Sequence, residues 1–145
     1  MRDKQRIIDV ARRGRGGSGE DFAWAELPGL RLPEADLSRT TFTRANLEGA
    51  NLEGANLQRA DFALANLKRA NLKKTNLQEA ILHKADLEGA DLEGADLKDA
   101  DLEGAILRRA ILMHADLSTA RLKGAQLDGA DLMMATMPEG WEEPE

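Results

Sequence analysis

Cysteine and tyrosine are absent from this chain of 145 residues, and proline occurs four times. Without cysteine there is no disulfide, no thiolate nucleophile and no cysteine-based metal site. No apolar run is long enough to span a bilayer, and the first residues lack the apolar stretch of a secretory signal. Histidine occurs twice, at His83 and His114, with no serine or cysteine nucleophile placed beside either. Calcium-binding Gly/Asp repeats need a nine-residue motif that is missing here. Thr40, Thr41, Thr43, Thr75, Thr119 and Thr136 do not form the flat array an ice-binding surface requires. These absences point away from catalysis and from bound cofactors or metals.

What the chain does have is a period. Every fifth residue from Phe22 to Met137 is large and apolar, giving twenty-four units, and alanine stands two residues ahead of nearly every one; Glu20, Leu30, Thr40 and Thr75 are the departures. At about 100° per residue, five steps along a helix rotate each leucine by roughly 140°, which scatters the series round the cylinder. A continuous strand fares no better, because an odd repeat throws successive leucines onto opposite faces. A corner in every unit resolves both conflicts. Ala (inward), Asp or Asn (outward) and Leu (inward) then form a three-residue strand, and the next two residues form the bend.

Composition at the bends agrees. Leu27-Pro28-Gly29-Leu30 puts proline second and glycine third, as a type II turn asks, and Leu-Glu-Gly-Ala repeats that placement. Type II turns are expected at the glycine corners. Corners without glycine, such as Arg108-Arg109, are expected to keep φ negative, so mixed turn types are predicted.

Longer spacings set the number of sides. Phe22, Phe42 and Phe62 are the only phenylalanines and lie twenty residues apart, which is four units. Four sides per coil stack them ring on ring. Glu48, Lys68, Glu88, Arg108 and Asp128 alternate in sign at the same interval, as do Glu53, Lys73 and Glu93, predicting ladders of opposite charge between coils about 4.8 Å apart. Asn46, Asn51, Asn56, Asn66, Asn71 and Asn76 suggest amide ladders. Asp86, Asp91, Asp96, Asp101, Asp116 and Asp131 replace them in the second half, where stacked Asp96 and Asp116 are expected to repel.

Runs such as Ala45-Asn46-Leu47-Glu48-Gly49 and Ala85-Asp86-Leu87-Glu88-Gly89 resemble the unit of pentapeptide-repeat proteins, over about 120 residues from Glu20 to Glu139. The resemblance implies a right-handed quadrilateral β-helix, an all-β fold; the spacing itself gives the four sides but not the hand. About six coils, roughly 29 Å long, follow. Phe22, Phe42, Phe62, Leu47, Leu67, Leu87 and Leu107 are its expected core. Each buried Leu or Phe contributes on the order of 1.5 to 3 kcal/mol before chain entropy is subtracted.

Three segments are expected. Residues 1–19 carry six cations against Asp3 and Asp9, a net +4, with Ile7, Ile8, Val10 and Ala11 giving a short apolar face. They read as a capping helix of two to three turns followed by a flexible, glycine-rich link over 14–19; a basic arm for nucleic acid or membrane is the alternative. The solenoid occupies 20–139. An acidic tail, 140–145, follows, with Met137, Pro138 and Trp141 as a lid over the last coil. A filled solenoid offers no cleft in which carboxylates could work as an acid–base pair, and both histidines are expected to be solvated.

Ile106, Ile111, Met113, Met133 and Met134 point outward near the C-terminal end and form the candidate protein-contact patch. Leu64, among polar neighbours, reads as incidental. The functional expectation is a non-enzymatic, cytoplasmic interaction scaffold or regulator, bacterial as the family resemblance implies, as a monomer or as a homodimer through a terminal coil. A protein partner is expected, with no direct nucleic-acid binding and no membrane association. The resemblance also implies a rival, a mimic of duplex DNA that modulates a type II topoisomerase such as gyrase, although Lys68, Arg69, Lys73, Lys74, Arg108 and Arg109 interrupt two faces. A structural module without a dedicated ligand is the third reading.

Overall fold

The structure, a computed structural model, describes residues 2–13 and 19–143. Residues 14–18 of the expected link and the end of the acidic tail, Pro144 and Glu145, lie outside the described residues. Helix α1 spans Arg2–Arg12. From Asp21 onward the chain winds as a four-sided tube in which each outward residue bridges, in parallel, the residue twenty positions later, from Asp21↔Thr41 to Asp116↔Thr136. Side one carries Asp21, Thr41, Asp61, Ile81, Asp101 and Arg121; side two runs from Glu26 to Gln126, side three from Arg31 to Asp131 and side four from Asp36 to Thr136. Six rungs per side make six coils, the first beginning at Glu20. Corner one follows side one, and so on round the tube.

Each side is shorter than the three-residue strand expected. Only the outward residue forms a bridge, because the residues on either side already belong to corners. The ladder is nonetheless regular: Leu47 N–H donates to the Asn66 carbonyl at 2.8 Å, and Asn66 N–H to the Ala45 carbonyl at 2.9 Å. Backbone groups that a tube must bury are thereby paired.

The core is a column of leucine and alanine. Leu47, Leu67, Leu87, Leu107, Phe42 and Phe62 are completely buried, and Phe22 is 1% exposed. Phe22 and Phe42 stack with centroids 6.0 Å apart, and Phe42 and Phe62 at 5.0 Å. Thr40 and Thr75 occupy inward alanine positions. Thr75 donates its hydroxyl to the Leu72 carbonyl at 2.8 Å, whereas the buried Thr40 Oγ1 has no partner among the described residues.

The corners correct the expectation of mixed turns. Non-glycine residues at the third position take the left-handed conformation too, including Arg109 (φ 58°), Arg69 (φ 55°) and Trp24 (φ 63°). Each such corner is closed by a bond from the N–H of the inward residue after it to the carbonyl of the inward residue before it, as in Ala110 to Leu107 at 3.1 Å. Geometry is fixed by the coil, and the residues pay the local strain, on the order of 1 kcal/mol each. Thr119 is the exception within the regular corners: no positive φ is found there. It is the one β-branched residue in a third position, where a left-handed backbone would crowd its side chain. At other corners the third-position N–H reaches a backbone carbonyl one coil on, as Gly94 reaches Met113; below Thr119, Asp99 N–H donates instead to Thr119 Oγ1 at 3.0 Å.

Glycine therefore has a second role at the corners, which is space. Arg69 and Lys84 lie across Gly89 and Gly104 of the following coils, and a Cβ on Gly104 would stand 3.0 Å from Lys84 Cγ. Long side chains fold flat because the next corner has none.

The outward Asn and Asp residues also work differently from an amide ladder. From Asp21 to Asp131, each accepts through Oδ1 the N–H of the residue two positions on, at 2.8 to 3.1 Å. Only the Oδ1 oxygen matters, so the two residue types are interchangeable in this task. Between coils, Asn66 Nδ2 reaches Asn46 Oδ1 at 3.4 Å.

Candidate protein-contact surfaces

Charge on the surface is arranged by pairing across coils, and the pairs run obliquely more often than straight. Arg108 meets Glu88 at 3.3 Å and Arg59 meets Glu79 at 3.0 Å, each one coil apart and in register. Lys68 and Lys73 instead reach Asp86 and Asp91, both at 3.5 Å, and Arg69 pairs with Glu48. A long side chain leaving a corner finds the outward carboxylate of the next coil closer than the corner residue above it. These pairs are largely exposed, so each is worth ~0 to 1 kcal/mol.

Asp96 and Asp116 do not simply repel. Lys98 Nζ lies 3.6 Å from one carboxylate and 4.0 Å from the other. The Asp116 carboxyl is held below its ordinary range by hydrogen bonds from the Ser118 side chain and backbone, with Lys98 adding a smaller attraction.

Four of the five patch residues come together. Met113 and Met133 occupy the same place on corner three of successive coils, Met134 adjoins Met133, and Ile111 leads into that corner from side three. Met133 is 60% exposed and Met134 71%, while Ile111 and Met113 are half-buried. Ile106 lies on side two, and the exposed Arg108-Arg109 corner separates it from Ile111.

The polar neighbours of each residue along the chain hid a second apolar edge. Trp24 (68% exposed) and Leu64 (41%) occupy third positions of corner one two coils apart, with Arg44 between them, its guanidinium 5.0 Å from the Trp24 ring. Ile81 on side one is 39% exposed. Leu64 is thus part of a line of large side chains, and the signal was available in the forty-residue interval from Trp24.

The two ends of the tube differ. Ile7 of α1 is fully buried and Val10 nearly so, in one cluster with Phe22; Arg6 covers the Phe22 ring at 3.8 Å and donates to the Asp21 carbonyl at 2.6 Å. At the other end Leu122, Leu127, Leu132 and Met137 are only partly buried. The N–H groups of Leu122, Leu127 and Leu132 have no acceptor among the described residues. Trp141 is half-buried beside Leu122 and Pro138 and covers one side of this end, so the expected lid is incomplete.

A four-sided parallel β-solenoid with one alanine, one outward Asn or Asp and one leucine per side defines a class of repeat protein. The chain belongs to the pentapeptide-repeat family: the family model for pentapeptide repeats matches residues 21–59, 60–99 and 95–132, and the fold is that family's right-handed quadrilateral β-helix. The chain is similar to the pentapeptide repeat protein Rfr23 from the cyanobacterium Cyanothece 51142, with 28% identity, a TM-score of 0.66, and coverage of 94% of this chain and 99% of that one. It is similar in fold to QnrB1, a plasmid-mediated fluoroquinolone resistance protein, with 21% identity, a TM-score of 0.56, and coverage of 82% and 72%. The pentapeptide repeat protein alr5209 from Nostoc Pcc 7120 is 35% identical over 85% of this chain and 93% of its own, with a TM-score of 0.40. No curated protein matches the chain. Among the described residues no helix is long and apolar enough to cross a membrane.

Proposed function

We propose that the chain is a non-enzymatic interaction scaffold or regulator of the bacterial cytoplasm, a stiff rod that presents its C-terminal end and the adjoining corner three to protein. The observation that carries this reading is the asymmetry of exposure. Met133 and Met134 stand out from the surface next to an end whose leucines are partly buried and whose ladder donors have no acceptor among the described residues, while α1 covers the opposite end. Methionine adapts its shape to a partner at little energetic cost, and unpaired ladder groups favour a partner that continues the coil. A second copy can do this, because the end offers both N–H donors and the carbonyls of Ala125, Ala130 and Ala135. Sedimentation velocity tests it: the full chain should self-associate as concentration rises, and Met113→Glu with Met133→Glu should abolish this. A wild-type monomer at high concentration overturns the self-association.

The rival reading, modulation of a type II topoisomerase such as gyrase by mimicry of duplex DNA, has in its favour the outward carboxylates Asp86, Asp91, Asp96, Asp101, Asp116 and Asp131. Against it, Lys68, Lys73 and Lys98 pair with Asp86, Asp91 and Asp96 of that set, Arg108 pairs with the nearby Glu88, and at 21% identity the likeness to QnrB1 is one of fold alone. Inhibition or protection in a gyrase supercoiling assay at micromolar protein would favour this rival, and neither effect would remove it.

A further inference from the structure

Coil stacking assembles a set of metal-ligand side chains that their spacing in sequence conceals. His83 and Glu103 hold the same place on corner one of the fourth and fifth coils, and Asp101 lies on side one, two residues before Glu103. One donor atom from each of the three, an imidazole nitrogen and two carboxylate oxygens, lies within 4.8 Å of the others. All three residues are half-buried, so His83 is not the freely solvated histidine its sequence context suggests, whereas His114 is exposed on corner three.

Each of the two carboxylates already has one oxygen engaged. Asp101 Oδ1 accepts the Glu103 N–H at 3.0 Å, leaving Oδ2. Glu103 Oε2 accepts from Arg121 Nη2 of the sixth coil at 3.2 Å, leaving Oε1. Arg121 lies outside the group, and an outer partner that fixes one oxygen of a carboxylate orients the other, as around protein-bound metals. Ile81, 39% exposed, is bridged to Asp101 on side one.

We propose that His83, Asp101 and Glu103 bind a divalent first-row transition ion of the zinc class. One imidazole with two carboxylates suits such an ion better than magnesium or calcium, which favour oxygen alone. The ion joins the fourth coil to the fifth and keeps at least one position open to solvent, where water or a side chain of a bound protein completes the coordination.

The test uses the full chain without a histidine tag, stripped with chelator and titrated with zinc chloride alone in a calorimeter, alongside thermal unfolding. Wild type should bind one equivalent with a Kd in the micromolar range and unfold at higher temperature with zinc present. His83→Gln and Glu103→Gln should each weaken binding by more than about tenfold, while His114→Gln binds as wild type does. Circular dichroism establishes that each variant is folded, and either of the two ligand variants suffices for the comparison. Absence of saturable binding at millimolar zinc overturns the proposal, as does wild-type affinity in a folded His83→Gln or Glu103→Gln.

Discussion

The first coil and the last are built from the same five-residue unit, yet one is closed and the other open. Phe22 in the first is 1% exposed because α1 lies over it, with Ile7 in the core and Arg6 across the ring. Leu122, Leu127 and Leu132 in the last are only partly buried, under an incomplete cover from Trp141. A solenoid coil buries its leucines against the coils on both sides, so a terminal coil needs a substitute for the neighbour it lacks. The N-terminal substitute is an amphipathic helix from the same chain. At the C-terminal end Trp141 covers only one side, and the leucines of that coil stay partly buried.

The largest test of the contrast is a charge placed at the same inward position in the middle and at the open end. Leu87→Asp buries a carboxylate with no partner in a fully packed coil and should leave the chain unfolded by circular dichroism. Leu127→Asp, where water already reaches, should leave a folded rod with a modestly lower melting temperature. Equal damage from both would mean that the last coil is covered in solution. At the closed end, Ile7→Ala removes a completely buried side chain from the cap and should lower stability by about 2 to 5 kcal/mol in urea unfolding, whereas Trp141→Ala at the open end should have a much smaller effect. If the two were alike, α1 would be no more important to the first coil than Trp141 is to the last. The smallest expected effect lies one coil in from the closed end. Thr40→Val replaces a buried hydroxyl without a partner and should raise stability by about 1 kcal/mol, while Thr75→Val, which removes a bonded hydroxyl, should not.

Much of the fold is legible in the sequence because burial is periodic and the period never slips. The twenty-residue spacing of Phe22, Phe42 and Phe62 gives the number of sides, and the stacked rings realise it at 6.0 and 5.0 Å. The corners were less legible. Arg109 and Trp24 adopt a backbone their own preferences disfavour because the coil favours it at nearly every corner, and Thr119 is the regular corner that departs from it. The outward Asn and Asp residues, expected as amide ladders and repelling stacks, are turn caps, an interaction of two residues' range that could have been suspected from their place just before each bend.

The candidate surfaces were legible only in part. Met133 and Met134 are exposed by phase alone, as the repeat predicts, but Ile106 falls on the far side of the Arg108-Arg109 corner from the rest. Trp24 and Leu64 form an edge with Arg44 that reading each in its local context does not reveal. Opposite charges in register at twenty residues proved a weaker guide than reach, and Lys68 turned to Asp86 instead of Glu88.

By itself the sequence determined the core, the square section and the number of coils, because hydrophobic burial repeats once per side and any other winding would expose leucine. Only the tertiary structure decided which side chains meet between coils. That choice depends on side-chain length, on the flat space above each corner glycine and on whether an outward oxygen is already engaged in its own turn. The grouping of His83 with Asp101 and Glu103, and the openness of the last coil, are both of this second kind.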